Sequence, residues 1–196
     1  PTATPTFGSS TLLDDCEDGD GTNNWGGPWY TYDDSSNSGT SKIVPVPGGV
    51  FNMASGGAAS TSYAVHITGT VTTAYAFGYI GVGTGTSASS PTDGAVNCTG
   101  FLGIRFYAKG DGAQYAIKLI PKSTVNTGND NFKTQFIAPA AWTQYQLFFS
   151  SFTQEGWGTA ATLTQVLTNL KAIEFQTIGQ PWASVDLWLD QLQMFP

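Results

Sequence analysis

The chain has 196 residues, 40% hydrophobic and 13% aromatic, with 24 Gly and only 11% charged positions. Seven basic residues against fourteen acidic ones leave a net charge of −7. This excludes a disordered chain, because enough apolar surface exists to offset chain entropy, and it excludes nucleic acid as a partner, because so few cations cannot neutralise a phosphate backbone. The length suits one domain with its own core. No apolar run is long enough to cross a membrane, and a single histidine, His66, leaves little scope for a histidine metal centre.

The chain begins Pro1-Thr2-Ala3-Thr4-Pro5-Thr6, a composition that forms stiff, solvated spacers. Residues 1–8 are therefore expected to be a linker remnant, with one domain over 9–196 cut from a longer secreted protein. A first strand is expected over 12–16. Seven of the fourteen acids lie between Asp14 and Asp34. Calcium, which takes six to eight oxygen ligands, and a solvated acidic turn explain that cluster about equally, and no EF-hand spacing is present. Cys16 and Cys98 are the only cysteines. In an oxidising compartment such a pair is expected to bond, with two buried free thiols as the close alternative.

Four aromatics follow in eight residues: Trp25, Trp29, Tyr30 and Tyr32, beside the turn formers Gly26, Gly27 and Pro28. A flat ring can appose the C–H face of a sugar while neighbouring acids and amides take the hydroxyls. Trp25 is expected to be buried. Strands are expected over 62–68 and 74–82, the second carrying Tyr75, Phe77 and Tyr79 on one face, with Phe77 in the core and a tyrosine at either edge free to reach a ligand. Further strands are expected over 101–108, 114–120, 131–137, 143–149, 172–178 and 185–195, from alternation and β-forming residues. Gly, Asn, Asp, Ser and Pro clusters separate them. Leu163, Val166, Leu167 and Leu170 mark one short helix over 163–170. With so little helix, the fold class is all-β: a sandwich or jelly roll of two antiparallel sheets.

Alternation also assigns faces. Ile104 and Phe106 oppose Arg105 and Tyr107; Ile117 and Leu119 oppose Lys118; Ile173 and Phe175 oppose Glu174 and Gln176; Leu187 and Leu189 oppose Asp186, Trp188 and Asp190. Trp157 and Trp182 fall in loops marked by Gly and Pro, where packing explains a tryptophan less readily. Catalysis of glycoside hydrolysis needs two acids across a cleft; Glu155 and Glu174 are the only glutamates outside the N-terminal cluster. No nucleophile elbow, zinc motif or phosphate loop occurs, so a non-enzyme is expected.

Leu13-Asp14-Asp15-Cys16-Glu17-Asp18-Gly19 followed by Asn24-Trp25-Gly26-Gly27 resembles the opening of secreted bacterial carbohydrate-binding modules, which usually carry Phe where Cys16 stands. The stretch from Trp142 through Phe148-Phe149-Ser150-Ser151-Phe152, and the strands around Glu174 and Asp186 to Asp190, resemble their later elements. The combination is most similar to family-eleven modules and spans nearly the whole chain. The resemblance implies a galactose-binding-like β-jelly roll with at most one short helix, structural calcium, and a cleft for single β-glucan chains. It implies binding roles for Trp157, Tyr75, Glu174, Gln176 and Asp130. Trp29, Tyr30, Tyr32, Arg105 and Trp182 complete the candidate site from the residue reading. It further implies calcium on Glu17 and Asp190 with Asp15, and makes a Cys16–Cys98 bridge more credible. Thr177 stands where the family has a cleft tyrosine. The expected protein is a secreted, monomeric, non-catalytic module. It would bind cellulosic or mixed-linkage β-glucan, with xyloglucan or mannan also possible, and would target a covalently linked glycoside hydrolase to it. The alternatives are a small glycan-active hydrolase or lyase using Glu155 and Glu174, or a cell-surface adhesion or scaffold domain.

Overall fold

Residues 12–126 and 128–196 are described by the computed structural model. The expected linker, 1–8, lies outside them. Twelve strands and one helix follow in chain order: β1 (Leu12–Asp14), β2 (Trp29–Asp33), β3 (Lys42–Val44), β4 (Ala54–Ser55), β5 (Tyr63–Val71), β6 (Ile80–Gly85), β7 (Gly103–Gly110), β8 (Gln114–Pro121), β9 (Phe132–Ile137), β10 (Thr143–Phe148), α1 (Leu163–Thr168), β11 (Leu170–Thr177) and β12 (Trp182–Phe195). All ladders are antiparallel. One sheet runs β10-β7-β12-β5-β3, with β1 on β12 and β4 on β5; the other runs β2-β6-β11-β8-β9. This is the expected two-sheet jelly roll.

The sheets close on the faces that alternation assigned. Ile104 and Phe106 from β7, Leu187 and Leu189 from β12, and Val65 and Ile67 from β5 meet Ile117 and Leu119 from β8 and Ile173 and Phe175 from β11, all at most 1% exposed. Phe106 meets both Phe136 and Phe175 edge-on, with centroids 5.2 Å apart. Such pairs add about 1 kcal/mol each beyond the area they bury. Helix α1 starts at a capping box: the Thr162 side chain accepts from the Gln165 N–H while the Gln165 side chain accepts from the Thr162 N–H. It ends two residues earlier than expected because Leu170 is already paired in β11 with Pro121.

Several expectations are corrected. Strands β2, β3 and β4 were not expected. Strand β6 begins at Ile80 rather than at residue 74, so Tyr75, Phe77 and Tyr79 lie on the loop before it, and Phe77 is 78% exposed rather than core. Trp25 is only part-buried, packing on Phe101. Cys16 and Cys98 are both free and buried. Cys16 lies among Trp29, Val65 and Leu189, whereas the Cys98 N–H bonds Leu167 in the last turns of α1. Burial pushes the Cys98 thiol up to about 12, and raises Cys16 further. Both are therefore protonated, unreactive packing groups.

Most of the early acids act as local acceptors. Asp18 and Asp20 take backbone N–H groups within their own turn. Asp14 is buried, accepts from the Cys16 N–H and the Trp29 indole, and is raised to about 6, chiefly by burial.

Candidate functional site

Strand β2 builds the first wall of a cleft through its period of two. Trp29 and Thr31 point into the core, 5% and 6% exposed, so Tyr30 and Tyr32 point to the opposite face. That face belongs to the β2-β6-β11-β8-β9 sheet. The neighbour strand β6 presents glycine under both rings. A Cβ on Gly81 would stand 2.4 Å from Tyr32 Cζ, and one on Gly83 would stand 2.7 Å from Tyr30 Cζ. The two tyrosines therefore lie across β6 and reach β11. Tyr30 Oη donates to Glu174 Oε1 at 2.9 Å and Tyr32 Oη donates to Gln176 Oε1 at 3.3 Å. Burial, then the charge of Glu174, raises both phenols well above their usual range, so both remain donors.

Strand β8 adds Lys118, directly opposite Glu174 in register. Its Nζ donates to Glu174 Oε2 at 3.2 Å and to Gln176 Oε1 at 2.8 Å. Strand β9 adds Lys133, opposite Lys118. Lys133 Nζ donates to Tyr75 Oη at 2.7 Å and pairs with Glu155 Oε1 at 2.8 Å. The Trp157 indole N–H donates to Glu155 Oε2 at 3.0 Å, and its ring is 61% exposed.

The loop that carries Trp157 is held by Asp130. This residue is 2% exposed, and its carboxylate accepts the N–H groups of Glu155, Gly156 and Gly158 at 2.9, 2.8 and 3.2 Å. Burial opposes its ionisation, but those N–H groups outweigh it and hold the carboxyl below the usual range. Lys133 and the indole likewise lower Glu155. Tyr79 closes the β2 end, its ring 6.1 Å from that of Tyr32 and its hydroxyl accepting from Asn37.

The result is a cleft of about 510 Å³, within the range of small-ligand sites. It is bounded by Tyr79 and Asn37 at the β2 side and by Trp157 and Asp130 at the β9 side. Two lysines in it face four carboxylates, Asp33, Asp130, Glu155 and Glu174. Such a surface rejects polyanions and offers donors and acceptors to neutral hydroxyls.

Of the candidate residues, Trp157, Tyr75, Tyr30, Tyr32, Glu174, Gln176 and Asp130 all meet here. Three do not. Trp29 turns into the core, stacked on Phe51. Arg105 lies on β7 of the other sheet, where it donates to Gln146 and covers the Phe195 ring. Trp182 opens β12 opposite Val71 and packs part-buried against the core. Lys118, Lys133 and Asn37 were not among the candidates, whereas Tyr79, one of the two edge tyrosines expected to reach a ligand, lines the cleft. The polar position of Lys118 in its strand was visible, but not that this polar face lines the concave side.

The candidate calcium residues lie elsewhere. Asp190, 1% exposed, accepts from the Ala58 N–H and the Thr61 hydroxyl, both at 2.6 Å. Glu17 accepts from the N–H groups of Ser62 and Tyr63. Burial, together with the charge of Glu17, raises the Asp190 carboxyl. Among the described residues neither acid has a cationic partner, and no three His, Cys, Asp or Glu side chains converge. Glu17 and Asp190 both accept from the 58–63 segment, and with the Thr61 hydroxyl they are the hard oxygen donors that would hold a calcium ion there. Asp15 makes no hydrogen bond to that loop among the described residues.

The fold is that of the family 11 carbohydrate-binding modules. A family 11 module from Clostridium thermocellum, solved with a β-1,3-1,4-mixed-linked tetrasaccharide, superposes with a TM-score of 0.61 over 94% of each chain at 18% identity. A family 30 module of the cellulosomal cellulase Cel9D-Cel44B of the same organism superposes with a TM-score of 0.52, over 80% of this chain and 90% of that one, at 10% identity. In sequence, residues 22–193 match the profile of complex I intermediate-associated protein 30 (CIA30), and the chain belongs to that family. Endoglucanase 3 of Fibrobacter succinogenes is 30% identical in an alignment of 182 residues that covers 88% of this chain. The chain spans about a quarter of the length of that curated relative.

Proposed function

We propose that this chain is a non-catalytic module that binds β-glucan chains and keeps a covalently linked glycoside hydrolase at its polysaccharide. The observation that carries this reading is the cleft itself. Tyr30, Tyr32, Tyr75 and Trp157 offer rings across five strands, and Glu174, Gln176 and Lys118 stand between them as a hydrogen-bonded polar centre. Rings appose sugar C–H faces; the polar centre selects hydroxyl orientation. Linkage to an enzyme then raises its effective concentration at the substrate. The fit with a mixed-linkage β-glucan follows the ligand of the family 11 module, and linkage to a hydrolase follows the partial coverage of the endoglucanase. A secreted, monomeric module with calcium on Glu17 and Asp190 belongs to the same reading.

The test is affinity electrophoresis in gels containing mixed-linkage β-glucan, xyloglucan, mannan or no polysaccharide. Retardation by a β-glucan, lost in Trp157→Ala with the melting curve preserved, is the expected result. Unretarded migration in every gel overturns it.

Two other readings have specific support. Glu155 and Glu174 share the cleft, as a hydrolase pair would. Each is paired with a lysine, however, and Glu155 is held below its usual range, which suits neither as a proton donor. Release of reducing ends from glucan, xylan or mannan would restore that reading. The family's name denotes a protein associated with complex I intermediates, which fits a scaffold domain; binding to no polysaccharide would favour it.

A further inference from the structure

A second hollow of about 370 Å³ opens beside the cleft, sharing Ile120, Asn129 and Asn131 with it. Its other walls are Pro121 at the end of β8, Ser123, Asn126 and Lys171. The register places it. The cleft crosses the strands, from Tyr30 on β2 through Gly83, Glu174 and Lys118 to Lys133 on β9. The hollow is displaced along the strands instead, where Ile120 faces Ala172 and Pro121 faces Leu170. A linear chain in the cleft therefore passes the mouth of the hollow without entering it.

The hollow's chemistry differs from the cleft's. Among the described residues no aromatic ring lines it, so they offer nothing on which a sugar face could stack. Amides dominate. Asn126 Nδ2 donates to Asn131 Oδ1 at 2.8 Å, which fixes that carbonyl; the Asn131 amide N–H₂ and the whole Asn129 amide have no partner among the described residues. The one cation among its described lining residues is neutralised: Lys171 Nζ lies 3.3 Å from Asp93 Oδ1, and Asp93 also accepts the N–H and hydroxyl of Ser123. A neutral, amide-lined hollow off the side of a cleft is a place for a short, uncharged, hydroxyl-bearing substituent.

We infer that the hollow is a branch subsite, receiving a neutral sugar carried as a side chain on the β-glucan backbone in the cleft. This rests on the reading above and adds to it a preference for branched over linear β-glucan. Isothermal titration with cellohexaose and with a β-1,4-glucan oligosaccharide bearing α-linked xylose tests it. The branched ligand is expected to bind at least fivefold tighter. Ser123→Phe, which fills the hollow from its exposed rim, and Lys171→Ala, which removes a wall, are expected to erase that preference while cellohexaose binds as before. Equal affinity for the two ligands, or a preference that survives Ser123→Phe in a protein with the parent melting curve, overturns the branch subsite and leaves glucan binding standing. Binding of neither oligosaccharide overturns both.

Discussion

Lys118 and Glu174 face each other across the β8–β11 ladder, Nζ to Oε2 3.2 Å, with side chains only 16% and 15% exposed. Each also serves a second partner: Lys118 holds Gln176, and Glu174 accepts from Tyr30. One ion pair thereby fixes every polar group at the centre of the cleft. Glu174→Gln keeps the shape and an acceptor for Tyr30 but removes the charge. It is expected to lower glucan affinity about tenfold, the worth of one charge-assisted hydrogen bond, with little change in melting temperature. Glu174→Ala leaves Lys118 half-buried without its carboxylate and is expected to cost about 1–2 kcal/mol of stability as well. Calorimetric titration with a mixed-linkage oligosaccharide and thermal denaturation read the two effects. Unchanged affinity in Glu174→Gln would remove this pair from the binding surface.

Gly83 is where the cleft is most sensitive to a single methyl group. Its Cβ would stand 2.7 Å from Tyr30 Cζ and 2.9 Å from Glu174 Cγ, closer than packed carbons approach. Gly83→Ala should therefore lift Tyr30 off β6 and break its bond to Glu174. The rest of β6 packs toward the core through Ile80, Val82 and Thr84, all fully buried, so the fold should survive. Expected are a loss of about 1–3 kcal/mol from overpacking and at least a tenfold fall in affinity. A crystal structure of the variant with Tyr30 unmoved, or full affinity, would contradict this.

The Trp157 loop predicts a pH dependence. Asp130 and Glu155 are both held below their usual ranges in the folded protein. A carboxyl depressed by folding stabilises above its unfolded pKa, near 4, and loses that contribution as pH falls through the folded value. Lys133 is raised, so its contribution is complete at neutral pH and fades only in strong alkali. Affinity is thus expected to be flat from pH 8 to 5 and to fall below about pH 4, as the loop loses its anchor. Asp130→Asn should show weak binding already at pH 7, because an amide oxygen cannot hold three N–H groups as a carboxylate does. Affinity electrophoresis across that pH range checks both. A variant as tight as the parent would show that the anchor is dispensable.

The two-sheet fold was legible because its long strands alternate cleanly: Ile117 and Leu119 against Lys118, or Ile173 and Phe175 against Glu174 and Gln176, carry the period of two in the sequence itself. Strand β6 was not legible in the same way. Gly81, Gly83 and Gly85 are poor strand formers, and the reason for Gly81 and Gly83, two tyrosine rings from β2, lies some fifty residues away in the chain. The cleft's acids and rings were found as residue types suited to sugar. Arg105 was misplaced because alternation separates the two faces of a strand without saying which becomes concave, and Trp29 because no strand was expected over 29–33 to turn it into the core. Lys118 and Lys133 were missed because a lone lysine on a polar face looks the same whether it is solvated or tied to a carboxylate, as Lys118 is to Glu174 and Lys133 to Glu155. The cysteine pairing failed for a related reason: sequence separation carries no information on Cα–Cα distance.

Asp190 on β12 and Glu17, three residues beyond β1, both hold the 58–63 segment, Asp190 through Ala58 and Thr61, Glu17 through Ser62 and Tyr63. If calcium sits on these acids, it offsets the repulsion between them, and its removal leaves a buried, uncompensated carboxylate beside a second one. EDTA is therefore expected to lower the melting temperature by several degrees, with recovery on adding excess calcium but not magnesium, whose octahedral demand and tight hydration suit this loop poorly. Affinity for β-glucan measured at 25 °C should be unchanged, because the cleft shares no residue with this loop. Asp190→Asn should melt at the same temperature with and without EDTA, since the variant has lost the charge that holds the ion. A parent protein whose melting curve ignores both EDTA and added calcium would rule the site out, and the raised carboxyl of Asp190 would then be satisfied by its neutral hydrogen bonds alone.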